Sequence, residues 1–278
     1  MNSSGASNSY PWVLPSPGMH RYRGVREFAK LAQKSKTVEN IEYSAELEIP
    51  LSVVQDDQAE MYIARARQIG NEAAQWPVRL VLDALQAYAT TTDLFGDALS
   101  GNSHTTSGMT IDNLQAATVA GSDGVAHRMH TIIHDGFFPL YYQSRLNPEM
   151  QRNSDEDASE KKSLRFWVDL RGAAFGGLPS HIVTSTFAHT PTVAEIQTEI
   201  NAVRAAFAAH TLEKTSMNDP TRYIWPQLDL STANCTFACS ARLAHIVREA
   251  VSASLIGSGN TNIMVGIGNV FGSSLLNA

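Results

Sequence analysis

The chain has 278 residues, of which 43% are hydrophobic and 17% charged, with a formal net charge of −6. That supplies the core of one large domain or two modest ones, excludes a disordered chain and argues against a dedicated nucleic-acid binder, whose domain is usually basic. Cys235 and Cys239 are too few for a disulfide framework or a complete zinc site. No run approaches the roughly 18 apolar residues of a membrane helix, and Met1 to Tyr10 lacks the features of a secretory signal, so a soluble, non-exported protein is expected.

Charge is unevenly spread. Residues 1–36 carry Arg21, Arg23, Arg26, Lys30, Lys34 and Lys36 against Glu27, a formal +5. Residues 37–60 carry Glu39, Glu42, Glu46, Glu48, Asp56, Asp57 and Glu60 with no base, a formal −7. Such a pair of segments suits nucleic acid, a basic arm meeting an acidic surface on a second copy, or two solvated faces.

Three prolines between Tyr10 and Gly18 predict an extended arm, whose Tyr10, Trp12, Val13 and Leu14 need burial, as terminal arms often find on another subunit. A helix is expected from about Arg23 to Gln33, with Val25, Phe28, Ala29 and Ala32 on one face. Ile41, Tyr43, Ala45, Leu47 and Ile49 then alternate with Asn40, Glu42, Ser44, Glu46 and Glu48, which predicts a strand with one buried and one acidic, wet face, ended by Pro50. A long helix follows, capped by Asp56 or Asp57, with Tyr62, Ala66, Ile69, Ala73, Trp76 and Leu80 as its apolar stripe. Pro77 predicts a kink or break near Gln75 before helix resumes through Tyr88, about 45 Å in all.

Residues 92–108 read as a polar loop and 110–134 as helix with short breaks. Phe137 to Tyr142 reads as a strand, Asn147 to Ser163 as a loop or hairpin tip, and Leu164 to Arg171 as a strand ending in Gly172, Gly176 and Gly177. Thr192-Val193-Ala194-Glu195 fits a capping box for a helix that buries Ile196, Ile200, Val203 and Phe207. Strands at Thr221–Pro226 and Asn234–Ser240, a helix at Ala241–Ser254, a turn at Gly257–Asn260 and a strand at Asn262–Phe271 complete a separate last lobe, with no internal repeat.

Little chemistry is signalled. His127, His130 and His134 fall at i, i+3 and i+7 and would share a helix face, beside Asp135; a metal site is conceivable, but Thr131 stands where a zincin's general base would be. A satisfied or solvent-facing histidine face is the better reading. Cys235 and Cys239 read as core residues. The glycines Gly266, Gly268 and Gly272 are misspaced for a dinucleotide fingerprint, and too few residues follow them to form its helix. Ser103-His104 and Ser180-His181 carry no triad signal. No catalytic, cofactor-binding or metal residue is therefore assigned, and no cofactor is expected.

The order Tyr10-Pro11-Trp12, Pro17-Gly18-Met19-His20-Arg21, a basic helix, Thr37-Val38-Glu39-Asn40, an alternating strand and Gln55-Asp56-Asp57 resembles the major head subunit of Mu-like tailed phages, the gpT family. So does the helix with Gly70, Ala73-Ala74 and Trp76-Pro77 running into Leu80, Val81 and Leu85. The resemblance, over residues 10–96, implies an α+β Hong Kong 97-like capsid fold with an N-terminal arm, an E-loop, a peripheral domain on a long spine helix, and an axial domain. The E-loop would fall within about residues 20–50 and the spine helix at about 55–90.

Phe137 to Gln143, Asn147-Pro148-Glu149 and Val168 to Ala173 resemble the family's C-terminal segment, yet precede residues 191–271, which resemble its axial part. A rearranged domain order is favoured over a chance match. The division expected is 1–36, arm and start of the E-loop; 37–190, E-loop strand, spine helix and peripheral domain; 191–278, axial domain and C-terminal strand. The resemblance implies a non-enzymatic major capsid protein forming an icosahedral head around double-stranded DNA, located in the virion and assembled in the host cytoplasm. Implied partners are further copies in hexameric and pentameric capsomers, candidate scaffold, portal and decoration proteins, and packaged DNA in weak non-specific contact, with no membrane. The alternatives are an encapsulin-like compartment of the same fold or a metal-dependent hydrolase on His127, His130 and His134.

Overall fold

The computed structural model describes residues 5–13, 33–55, 60–102, 104, 111–117, 122–134, 136–209, 235–256, 260–262 and 264–276. In chain order the elements are β1 (Ser7–Val13), β2 (Gln33–Glu39), β3 (Ile41–Pro50), α1 (Leu51–Gln55), α2 (Glu60–Gln86), β4 (Leu114–Ala116), β5 (His127–Ile133), β6 (Leu140–Arg152), α3 (Asp155–Lys161) and β7 (Ser163–Gly176). A 3-10 turn (Pro179–His181), β8 (Ile182–Phe187), α4 (Val193–Ala209), β9 (Cys235–Ser240), α5 (Ala241–Ser252), β10 (Leu255–Ile256), β11 (Asn260–Thr261) and β12 (Asn269–Ser273) follow.

Two compact units result, interleaved in sequence: Met1–Tyr10 with Thr37–Val81 and Tyr141–Ala174, and Pro11–Lys36 with Leu82–Leu140 and Phe175–Ala278. One boundary between the units falls at the expected 36/37, whereas none falls at 190/191, because β4, β5 and β8 share a sheet with β9 and β12.

In the first unit β3, β7 and β6 form a sheet in that order, with β3 antiparallel to β7 from Ile41 opposite Gly172 to Pro50 opposite Ser163. The alternation of β3 sorts its residues as its sequence predicts, and Pro50 ends it. Its apolar side is only partly covered: Ile49 is buried and Tyr43 half-buried against Trp76 of α2, with ring centroids 5.5 Å apart, while Ile41 stays 55% exposed. At Gly172 a Cβ would meet the Tyr142 hydroxyl and the Gln143 carbonyl at 2.5 and 2.7 Å, so only glycine admits the close approach of β6 to β7 there.

Helix α2 runs unbroken through Pro77, so of the kink or break expected near Gln75 the break does not occur. Proline there forfeits one backbone hydrogen bond, and the flanking turns outweigh that loss. The polar stretch after Asn147 is a hairpin tip: β6 continues to Arg152, α3 crosses over, and β7 begins at Ser163. The Ser154 hydroxyl caps α3 at the Asp157 amide, and Lys162 closes it in the left-handed conformation at φ 53°.

In the second unit the strand order is β12-β9-β5-β8-β4. One face, through Met129, Val183, Phe187, Phe237 and Cys239, meets α4 and α5, whose Ile196, Ile200, Val203, Leu243 and Val247 are fully buried. The other face, through Ile182 and Ala238, is covered by Leu82, Leu85, Leu99 and Leu276. The capping box is present: the Thr192 hydroxyl accepts from the Glu195 amide, and the Glu195 carboxylate accepts from the Thr192 amide at 2.7 Å.

The helix expected over 110–134 is replaced by β4 and β5. Thr131, Ile132 and Ile133 are β-branched, and β8 and β9 pair with both edges of β5, so tertiary pairing overrides the helical spacing of the histidines. The last strand is shorter than expected, Asn269–Ser273. The Asn262 side chain instead organises a turn, donating to the carbonyls of Ala250 and Ala253 at 2.8 Å and accepting from the Met264 amide. The expected helix to Gln33 lies outside the described residues except for Gln33 itself, which opens β2. The Asp56/Asp57 cap, the Thr221–Pro226 strand and most of the Gly257–Asn260 turn also lie outside them.

Candidate functional site

The sheet face of the first unit follows from register. Opposite Glu42, Ser44, Glu46 and Glu48 stand Arg171, Asp169, Trp167 and Arg165 of β7. Arg171 donates to the Glu42 carboxylate, and Arg165 to Glu48 at 3.1 Å. The acidic face is exposed, as expected, but two of its three glutamates are paired within their own sheet. Glu46 has no ion-pair partner among the described residues and faces the Trp167 indole instead. A depression of about 650 Å³ opens here, lined among others by Glu46, Glu48, Asp157, Lys161, Arg165 and Trp167. Between the sheet's opposite face and α2 lies a more apolar groove of about 470 Å³, lined by Ile49, Ile63, Ala66, Gly70, Met150 and Phe166, with Ile63 48% and Met150 44% exposed.

The N-terminal arm is extended, as expected, and β1 pairs with β2 of its own chain. The Tyr10 hydroxyl donates to Gln143 Oε1 at 2.6 Å, and Gln143 Nε2 donates to Asn40 Oδ1 at 2.7 Å. Residues 14–32, which hold Arg21, Arg23, Arg26 and Lys30, connect the two paired strands in sequence.

The three histidines do not converge. In a strand, positions 127 and 130 point to opposite faces. His127 Nε2 meets Asp123 at 3.0 Å, and that contact, with the Val125 and Thr190 amides, holds the Asp123 carboxyl below the usual carboxylate range. His130 is buried beside the Thr184 hydroxyl at 3.0 Å and the Tyr88 ring; burial, with Arg128 nearby, pushes it down to about 3, so it is neutral. His134 bonds Thr236 Oγ1 at 3.0 Å, and burial lowers its pKa. The metal-dependent hydrolase loses its constellation.

A different polar cluster forms in the second unit. Asp93 Oδ1 accepts from the amides of Phe95 and Asp97, and its Oδ2 faces His104 Nδ1 at 3.1 Å. His104 Nε2 lies 3.0 Å from Asn113 Oδ1, while Asn113 Nδ2 donates to the Leu99 and Pro179 carbonyls. Those two bonds fix Oδ1 as an acceptor, so both His104 nitrogens donate and the ring is an imidazolium. Burial opposes that charge, but the bonds to Asp93 and Asn113 outweigh it and raise the His104 pKa. Asp93, Asp97 and His104 approach one another within 4.8 Å, a metal-like spacing, yet the ring nitrogens are committed to donating and the cluster is a hydrogen-bonded latch.

Beside it, Lys36 Nζ donates to the carbonyls of Thr92 and Asp93, at 2.5 and 2.8 Å, and lies 5.9 Å from the Phe175 ring centroid. Burial pushes its pKa down to about 8, against the pull of Asp93. Sequence reading missed this cluster, since its members are scattered single residues with no shared period. Cys235 and Cys239 are core, as expected, each about 1% exposed, and burial pushes both thiols up to about 12. Ser180 and His181 bond each other at 2.9 Å in the interior. Among the described residues no helix is long and apolar enough to cross a membrane.

A sheet with a long helix in one unit, and a two-faced sheet under two helices in the other, define the class. The fold is that of a tailed-phage capsid subunit, Hong Kong 97-like. It matches the capsid of bacteriophage JBD30 with a TM-score of 0.77 at 16% identity, over 100% of this chain and 88% of that one. The JBD30 procapsid matches with a TM-score of 0.66 at 18% identity, over 99% and 89%.

The family described as "Mu-like prophage major head subunit gpT" matches residues 1–273, and the chain belongs to it. The Mu-like prophage FluMu major head subunit of Haemophilus influenzae is 24% identical over 181 residues, covering 62% of this chain. The match spans 58% of that relative's length.

Proposed function

We propose that this protein is the major capsid subunit of a tailed double-stranded DNA phage or prophage, and that its work is assembly. The observation that carries this reading is the continuous family match over residues 1–273 together with a capsid fold along the whole chain. One continuous match also favours the family's own domain order over a rearrangement. The unit with β3, β6, β7 and α2 as far as Val81 is the peripheral domain. The unit with the five-stranded sheet is the axial domain that closes hexameric and pentameric capsomers. The pair β1–β2, with residues 14–32 between its strands, is the E-loop, slightly upstream of the 20–50 range. Heterologous contacts between such copies close into rings that tile a shell.

The protein is not an enzyme on this reading. Scaffold, portal and decoration proteins are its candidate partners in the host cytoplasm, and the mature location is the virion. Contact with packaged DNA is weak and non-specific, since a net charge of −6 supplies little counterion release. Sedimentation of nuclease-treated lysate from cells making the protein with its neighbouring head proteins tests the reading: fast-sedimenting particles with nuclease-protected DNA support it. Particles that enclose only a cargo enzyme would favour the encapsulin-like alternative, and slow, monomeric material with those head proteins present would contradict both.

A further inference from the structure

The exposed face of β3 and β7 carries four carboxylates and two guanidinium groups, and the pairing is selective. Glu42 and Glu48 are each met by an arginine of β7, whereas Glu46 stands opposite Trp167. In an antiparallel pair, side chains directly opposite have Cβ atoms about 4.5–5.5 Å apart, so the Glu46 carboxylate stands beside the indole. Asp157, also without an ion-pair partner among the described residues, lines the same depression. A carboxylate next to an aromatic face is what a guanidinium seeks: it donates a charge-assisted hydrogen bond to one and stacks on the other. The depression, about 650 Å³, has room for such a side chain.

We propose that this slot, Glu46 and Trp167 with Asp157 at its edge, receives an arginine from residues 21–26 of a second copy of the chain. Charge complementarity selects the occupant. Residues 1–36 carry a formal +5, with Arg21, Arg23 and Arg26 clustered in the connection between β1 and β2. Arg165 is already spent on Glu48, and the single further cation at the rim, Lys161, stands against two carboxylates, Glu46 and Asp157, so the slot keeps a net negative charge. This rests on the shell-subunit reading, because a second copy is at hand only in an assembly. It also narrows the pairing expected from sequence, from a whole acidic strand face to one position.

Charge exchange tests it. Glu46 is exposed, so Glu46→Arg folds like wild type, which circular dichroism checks. Each of Glu46→Arg and the triple variant Arg21→Glu/Arg23→Glu/Arg26→Glu should lower the yield of assembled particles roughly tenfold or more, and combining them should restore much of it. Unchanged assembly of Glu46→Arg, or a combination no better than either variant, overturns the proposal while leaving the shell reading intact. Wild-type protein that forms no particles in the presence of its head proteins overturns both. A second readout avoids dependence on yield: Glu46→Cys and Arg23→Cys chains, made together and oxidised, should give a disulfide-linked dimer of one of each. Linkage confined to like chains, or none in assembled particles, refutes the contact.

Discussion

The imidazolium assigned to His104 makes a demanding prediction. Asp93→Asn keeps the acceptor that Oδ1 offers to the amides of Phe95 and Asp97, so the turn is preserved, but it removes the counter-charge from a ring that is 1% exposed. A hydrogen bond to a charged group is worth about 1.5–3 kcal/mol, and the loss should fall near the top of that range at pH 6 because the site is dry. At about 2–4 °C per kcal/mol for a unit of this size, the variant should melt roughly 6–12 °C lower.

The pH dependence has a definite sign. His104 has a raised pKa in the fold, so its contribution is fully present below the unfolded histidine value of about 6.5 and fades as pH rises through the folded value. His130, pushed down to about 3, acts oppositely and weakens the fold as pH falls below about 6.5. That effect is common to both proteins and cancels in their difference. Urea denaturation of unassembled wild type and Asp93→Asn at pH 5.5, 7 and 8.5 should therefore show a gap that narrows with pH. A gap that is constant, or that widens with pH, would refute the charge assignment.

Three further outcomes are expected. Gly272→Val should destabilise by about 1–3 kcal/mol in the same denaturation assay, because a Cβ at this position of β12 would lie 2.4 Å from the Ala244 Cβ on α5. Thr192→Ala opens the capping box of α4 and should cost about 1 kcal/mol, with hydrogen exchange rising first at the helix N-terminus. Cys235 and Cys239 should resist a thiol reagent such as dithionitrobenzoate in native protein at pH 8 and react at once in denaturant, given 1% exposure and thiols pushed up to about 12.

What could be read from the sequence was local. The alternation from Ile41 to Ile49 and the Thr192/Glu195 box with its stripe of Ile196, Ile200 and Val203 each depend on neighbours within one element; the strand and the capped helix are both found, although of the strand's apolar face only Ile49 is buried. The assembly class was legible through an ordered series of features over residues 10–96, which no single motif would have carried. The failures share a physical cause, which is partners distant in sequence. Arg171 neutralises Glu42 across 129 positions, and nothing near Glu42 announces it. The strand β5 is made by β8 and β9 on either side, so its histidines, spaced as on a helix, separate onto two faces. In the Asp93–His104–Asn113 latch, Asp93 and His104 lie in what reads as a polar loop and Asn113 in what reads as a helix, and their burial is invisible until the Leu99 and Pro179 carbonyls are in place.

The central claim is that these interfaces build a closed shell. Negative-stain electron microscopy of the protein, produced with its neighbouring head proteins and fractionated by size, tests it most directly. Closed icosahedral particles or isolated capsomer rings are the predicted result. A monodisperse monomer under those conditions would contradict it.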